Sequence, residues 1–214
     1  MTSDYSVFRT ADGSRYGVLE KELPYTPLSY LESTGTQYID TNYAFNDNFA
    51  WEITFEGITD SATLFGGRTS SVRTAILFQL ASPKSTVCPI AGLNGTTTPF
   101  KFSDLSTGKH TVKLSIASNK GSAWVDGTQL YNNESFTGSY ISGTTQALFA
   151  DKYNDGSFKE LTSSKVYSLK MWQNGKLVRD FIPVLDANGV PCMYDKTNDK
   201  YYYNSGTGSF KIGK

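Results

Sequence analysis

The sequence holds one histidine and two cysteines, and that scarcity removes whole classes of chemistry. A nucleophilic triad needs a histidine beside a serine or cysteine, and the sole histidine, His110, opens a strand patterned for a core. A zinc site needs a close pair of Cys or His ligands, and Cys88 and Cys192 lie far apart in the chain. Their spacing leaves open whether they meet; their rarity in a chain able to bury a large core favours free thiols. Charge of one sign is also missing. Twenty basic and twenty acidic residues cancel, no block of like charge stands out, and binding driven by phosphate neutralisation is not expected. No apolar run approaches about 18 residues, which argues against a membrane-spanning helix. The opening MTSDYSVFRTADGSRYG has no apolar core, so no secretory signal is read there and synthesis in a cytosol is expected. Amphipathic helical patterning is absent, and no Gly-rich loop precedes a helix, which removes the nucleotide-binding fingerprints.

What the chain does have is tyrosine, phenylalanine, glycine, threonine and serine in quantity, the composition of strands and tight turns. Lys109 to Leu130, KHTVKLSIASNKGSAWVDGTQL, is the clearest stretch. His110, Val112, Leu114 and Ile116 recur with period two, and Thr111, Lys113, Ser115 and Ala117 take the other face. Ser118-Asn119-Lys120-Gly121 reads as a turn with Gly121 at positive φ, followed by a strand to Val125 and a second turn at Asp126-Gly127. Phe49, Trp51, Ile53 and Phe55 alternate in the same way. Further strands are expected at Leu64–Arg68, Ala75–Leu80, Thr86–Leu93 (an edge or bulge, because of Pro89), Phe100–Phe102 and Gln146–Ala150. Asn132 to Thr145 reads as loop. Val166–Trp172 is expected to place Tyr167, Leu169 and Met171 on one face. Asn174-Gly175 is the strongest hairpin signal, and the returning strand Leu177–Ile182 is expected to stop at Pro183. Tyr201-Tyr202-Tyr203 and Ser209–Ile212 close the chain. About a dozen turn-separated strands imply an all-β, antiparallel two-sheet sandwich.

Residues 1–27 are set apart. Tyr5–Thr10 and Arg15–Glu20 flank a turn at Ala11–Ser14, and a lone hairpin is marginal in water. It either packs on its own domain or serves as a docking arm for another chain. Leu23-Pro24-Tyr25-Thr26-Pro27 reads as a stiff linker, with the main domain at 28–214.

Several groups are candidates for function. Jelly-roll glucanases carry alternating acids on one strand because only i, i+2 and i+4 share a face. Glu52 and Glu56 lack an acid at Thr54 between them, so a solvated strand face is the better reading. Asp151 to Gly156 begins like a calcium loop but has Tyr153 third and Thr162 twelfth, where an oxygen ligand and a Glu are wanted. Calcium remains the cofactor with a place here, at a loop site using Asp126 or Asp151 with backbone carbonyls; no cofactor is required. Sugar binding needs aromatic faces with a few polar groups. Trp124, Trp172, Tyr140, Tyr153, Tyr131, Arg68 and Asn94 supply that material; for any one of them alone, core or unspecific surface is the better reading, and as a group they keep carbohydrate recognition open.

Three stretches then read together: YLESTGTQYIDTNY (Tyr30–Tyr43), HTVKL with VDG (His110–Gly127), and KVYSLKMWQNGKLVRDFIPV through MYDKTNDKYYYNSGTGSF (Lys165–Phe210). They resemble a concanavalin A-like, laminin-G-like jelly-roll domain of the kind found in bacteriophage virion proteins and in bacterial surface proteins. The resemblance spans about Leu28 to Lys214. It implies a jelly-roll sandwich without catalysis, acting in adhesion, glycan or receptor contact, or virion decoration. With no leader read, the expected setting is a virion assembled in the host cytoplasm and facing outward. Residues 1–27 would dock on a virion or fibre partner within an oligomer, and the jelly roll would face a host-surface glycan. A passive decoration or assembly protein and a divergent glycoside hydrolase are the alternatives. Neither nucleic acid nor membrane insertion is expected.

Overall fold

The computed structural model describes residues 5–9, 16–20, 23–68, 73–79, 87–90, 105, 107–118, 120–135 and 144–214; at 5–9, 16–20, 73–79 and 87–90 only the backbone is described. All regular structure among them is strand. In chain order the strands are β1 (Tyr5–Arg9), β2 (Tyr16–Glu20), β3 (Thr26–Pro27), β4 (Tyr30–Thr34), β5 (Ile39–Asp40), β6 (Phe49–Glu56), β7 (Thr63–Arg68), β8 (Arg73–Gln79), β9 (Val87–Ile90) and β10 (Lys109–Ala117). They continue with β11 (Lys120–Val125), β12 (Thr128–Ser135), β13 (Ala147–Leu148), β14 (Asp151–Tyr153), β15 (Phe158–Lys159), β16 (Ser163–Gln173), β17 (Lys176–Leu185), β18 (Pro191–Asp195), β19 (Lys200–Tyr202) and β20 (Lys211–Gly213).

Two sheets form a sandwich of jelly-roll type. The larger runs β12-β11-β10-β6-β16-β17-β18-β19, with β4 and β20 continuing beside β16 and β3 beside β17. The smaller runs β15-β14-β7-β13-β5, with β8 and β9 added to β7. Pairing is antiparallel except between β14 and β7, which run parallel through Lys152–Gly67 and Tyr153–Arg68. The sandwich is therefore not purely antiparallel. β1 and β2 make a separate two-stranded sheet.

The core follows from period-two alternation. Phe49, Trp51, Ile53 and Phe55 of β6 are buried, as are Val112, Leu114 and Ile116 of β10. They meet Ile39, Leu64, Phe65, Leu148 and Phe149 from the smaller sheet's side in one cluster. Trp51 touches Phe65 edge to face, 5.6 Å between ring centres. Burying each such side chain is worth roughly 1.5–3 kcal/mol.

Four local expectations are corrected. Tyr167 does not share a face with Leu169 and Met171, because the β16–β6 register shifts between Val166 and Ser168. That bulge inserts one residue and returns Val166, Leu169 and Met171 to the core. Pro183 does not end its strand. β17 runs on to Leu185, with Pro183 opposite Met193. In an antiparallel strand a residue's N and C=O point to the same edge. The Pro183 carbonyl accepts the Leu28 N–H, at the junction where pairing to β16 stops (Phe181) and pairing to β3 starts (Val184), so the missing donor falls between two partners. Gly121 lies within β11 opposite Ile116, and Ser118 in the turn before it has positive φ. The Asp126-Gly127 and Asn174-Gly175 turns hold both residues at positive φ, as two-residue hairpins require. β12 extends to Ser135, into the stretch read as loop; Phe100–Phe102 lies outside the described residues.

The segment read as a linker is bound to the sheet. Thr26 and Pro27 pair with Leu185 and Val184, Tyr25 packs on Tyr194 with ring centres 4.5 Å apart, and the Tyr201 hydroxyl donates to the Pro24 carbonyl. Beside them Cys192 is a buried free thiol, pushed up to about 12 by burial and by nearby Asp186; the Cys88 side chain is not described. Next along the chain, Ser29 donates from its backbone to Gly213 and from its hydroxyl to Lys214.

The loop between β19 and β20 is sewn to the segment before β5. Ser205 and Thr207 N–H groups donate to the Tyr38 and Thr36 carbonyls. A Cβ on Gly206 would stand 2.1 Å from the Thr36 oxygen and 3.0 Å from the Tyr38 ring. Gly206→Ala is therefore expected to destabilise the protein by about 3 kcal/mol, read as a lowered urea midpoint; an unchanged midpoint would refute this loop geometry.

Candidate functional site

At the mouth of the sandwich a cleft of about 740 Å³ opens between β5, the β14–β15 hairpin and the β17–β19 edge. Its lining includes Asp40, Asn42, Lys152, Phe158, Arg179, Lys200 and Tyr201 to Ser205. Each position follows from strand alternation. Ile39 goes into the core and Asp40 points out. Lys152 is the outward middle residue of β14. Arg179 shares a face with Phe181 in β17, so its guanidinium enters the mouth of the sandwich rather than open solvent.

The polar groups are held in place. Asp40 accepts from the Asn42 N–H at 2.9 Å and the Thr145 hydroxyl at 2.8 Å, and it pairs with the Lys152 ammonium. Lys152 also donates to the Thr145 hydroxyl at 2.6 Å. Arg179 lies over the rings of Tyr43 and Tyr202, 5.0 and 5.8 Å from their centres. It donates to the Thr41 carbonyl at 3.3 Å and stands 3.5 Å from the buried Asp195 carboxylate. Phe158 stacks on Tyr38 at 4.2 Å. Tyr203 is 44% exposed; partial burial and its hydrogen bond to Asp186 push its hydroxyl up to about 12, so it stays a neutral donor. Lys200 is exposed and has no carboxylate partner among the described residues. The result is a semi-rigid wall of aromatic rings, amides and cations with one carboxylate already engaged.

The residues singled out from sequence fall elsewhere, in two groups. Arg68, Tyr153 and Asp151 come together on the smaller sheet. Arg68 donates to Asp151 at 2.6 Å and to Glu160, and its guanidinium lies 4.4 Å from the Tyr153 ring centre. Burial works against the Arg68 charge, but the Asp151 and Glu160 carboxylates outweigh it and raise its pKa. Asp151, 0% exposed, is thus engaged by an arginine. Trp124 and Trp172 flank Lys113 on the outer face of the larger sheet. Tyr131 packs at the margin of the core. Tyr140 and Asn94 lie outside the described residues.

Asp126 sits in the β11–β12 turn, accepting from Thr111 N–H at 2.8 Å and bonded to His110 Nδ1 at 2.8 Å. Partial desolvation raises its pKa, but these hydrogen bonds outweigh it and the net shift is downward. Asp126 and Asp151 belong to different sheets, and among the described residues no three His, Cys, Asp or Glu side chains gather as a metal centre. Glu56 faces out from β6, held low by hydrogen bonds from Lys165 and Tyr167.

The cleft residues escaped the sequence reading because they come from four separated segments. The one local signal was the run Tyr201-Tyr202-Tyr203-Asn204, which reads equally as an ordinary strand. Asp151→Asn removes the charge facing Arg68 and is expected to cost about 3 kcal/mol, the lower end for breaking a buried pair because Glu160 remains. Thermal denaturation measures it; an unchanged melting temperature would show that the pair does not hold the hairpin.

No family model matches the chain, and no curated protein matches it in sequence. Solved structures do match. One is a Bacteroides ovatus ATCC 8483 protein provisionally described as carbohydrate binding, with a TM-score of 0.59, 15% identity and 92% of this chain covered. This chain spans 63% of that protein's length. At that identity the likeness is one of fold: the chain shares the all-β sandwich of this protein.

Proposed function

We propose that this chain binds a glycan, without catalysis, in the cleft at the mouth of the sandwich. The observation that carries the reading is the lining itself: Phe158 and the tyrosines of β19 supply ring faces, and Asn42, Asn198, Asn204, Lys200 and Arg179 supply planar or charged polar groups. Saccharide sites combine these two kinds of surface. The similarity in fold to a protein described as carbohydrate binding supports the reading. Against hydrolysis, Asp40 is the one carboxylate lining the cleft among the described residues, it is paired with Lys152, and glycosidases of the usual kind need two.

The full chain, displayed multivalently on a glycan array, is expected to bind a defined set of glycans. Phe158→Ala and Lys200→Ala are each expected to weaken that binding about tenfold, near 1.4 kcal/mol, with the melting temperature of Lys200→Ala unchanged. Absence of glycan binding by the parent protein would overturn the reading.

The finer setting, a virion protein presenting this domain to a host-surface glycan, rests on the family resemblance. The separate β1–β2 sheet favours a docking arm at residues 1–22, while 24–27 belong to the sandwich edge. A chain lacking residues 1–22 is expected to keep its melting temperature and glycan binding but to lose co-sedimentation with its particle or fibre. Co-sedimentation equal to that of the full chain would remove the arm from this role.

A further inference from the structure

The outer face of the larger sheet carries a second feature. Cross-strand register places Trp124, Lys113, Glu52, Lys170 and Asp180 in one row. The next row is Ser122, Ser115, Ala50 and Trp172. Small residues therefore floor a trough bordered by the Trp172 indole and by Lys113, whose far side carries Trp124. A cleft of about 520 Å³ lies there, lined by Asn48, Ala50, Lys113, Ser115, Trp172 and Asn174, among others. The wall is fixed: Asn174 N–H donates to the Asn48 carbonyl at 2.8 Å, and Gln173 donates to the Asp47 carbonyl at 2.6 Å.

Among the described residues, Lys113 is the one charged side chain lining this cleft. Its ammonium lies 5.4 Å from the Trp124 ring centre and 5.5 Å from that of Trp172, and it has no carboxylate partner among the described residues. Both indoles are half-buried on a face that points away from the core. Indole faces left partly wet, a shallow floor and a cation that forms no salt bridge, although Glu52 lies across the ladder from it, complement a ligand with an apolar C–H face and a negative group.

We propose that this trough is a second saccharide site, selective for an acidic pyranose. The sugar ring lies against Trp172 over Ala50 and Ser115, its carboxylate pairs with Lys113, and the Asn48 and Asn174 amides meet its hydroxyls. The site is separate from the cleft at the mouth of the sandwich and stands or falls independently of it.

The chain has three tryptophans, and Trp51 is fully buried, so their indole N–H resonances test the proposal with an internal control. Titration of the full chain with a galacturonic acid trisaccharide is expected to shift the Trp124 and Trp172 signals and to leave Trp51 in place. A neutral galactose trisaccharide is expected to bind at least about tenfold more weakly. Lys113→Gln should weaken the acidic ligand about tenfold, and Lys200→Ala, at the other cleft, should leave it unchanged. Static Trp124 and Trp172 signals, equal response to the neutral sugar, or loss of response in Lys200→Ala rather than in Lys113→Gln would each overturn the proposal. So would shifts that follow protein concentration without sugar, which would mark the face as a contact between copies.

Discussion

The rest of the structure depends on the pleat of β6. This strand is laddered along its length to β10 on one side and β16 on the other, so its alternation fixes the face of both neighbours. Every inward side chain of β6 reaches the core, and every outward one is committed to a surface row. A one-residue slip would exchange Trp51 and Phe55 for Glu52 and Glu56 in the core, which makes the register very hard to lose. The outward rows inherit that order. Lys109, Glu56, Lys165, Glu32 and Lys211 succeed one another across five strands with alternating sign. Lys165 and Glu56 close to 2.7 Å. Such surface pairs add little stability one by one, but like charges in the same places would oppose the pairing.

Period two made much of the fold legible in the sequence. The faces of β6 and β10, the Asn174-Gly175 hairpin and the two-layer arrangement can all be read from residue order, because each depends on neighbours along the chain. Tyr167 and Pro183 mark where that logic ends. A bulge in β16 is set by its partner strand, and the tolerance of Pro183 depends on a gap between β16 and β3. Neither partner is visible locally. The same holds for Thr26 and Pro27, which read as linker until β17 supplies an edge for them.

The sites divide along the same line. Trp124 and Trp172 were recognisable as aromatic material, but their meeting around Lys113 is a consequence of register across four strands, β11, β10, β6 and β16. Arg68 and Tyr153 were singled out for a ligand and are occupied by Asp151 and Glu160, since a guanidinium largely removed from water is held with carboxylates. The cleft at the mouth of the sandwich draws on β5, β14, β17 and β19. Sequence patterns on single strands show what faces inward or outward; they do not show which outward residues share a mouth.

The hydrogen bonds from Ser29 to Gly213 and Lys214 have a mechanical meaning. They bring the first strap of the sandwich, at β3 and β4, against its last strand, β20, at one pole. Tension applied between the arm side of the chain and its C-terminal strand would load two short ladders, β3 on β17 and β20 on β4, and would not run through the layers. Under force those straps would peel away before the sheets parted. The two surfaces proposed to meet saccharides draw on β5, β6, β10, β14, β16, β17 and β19, so they would stay assembled while the straps peeled.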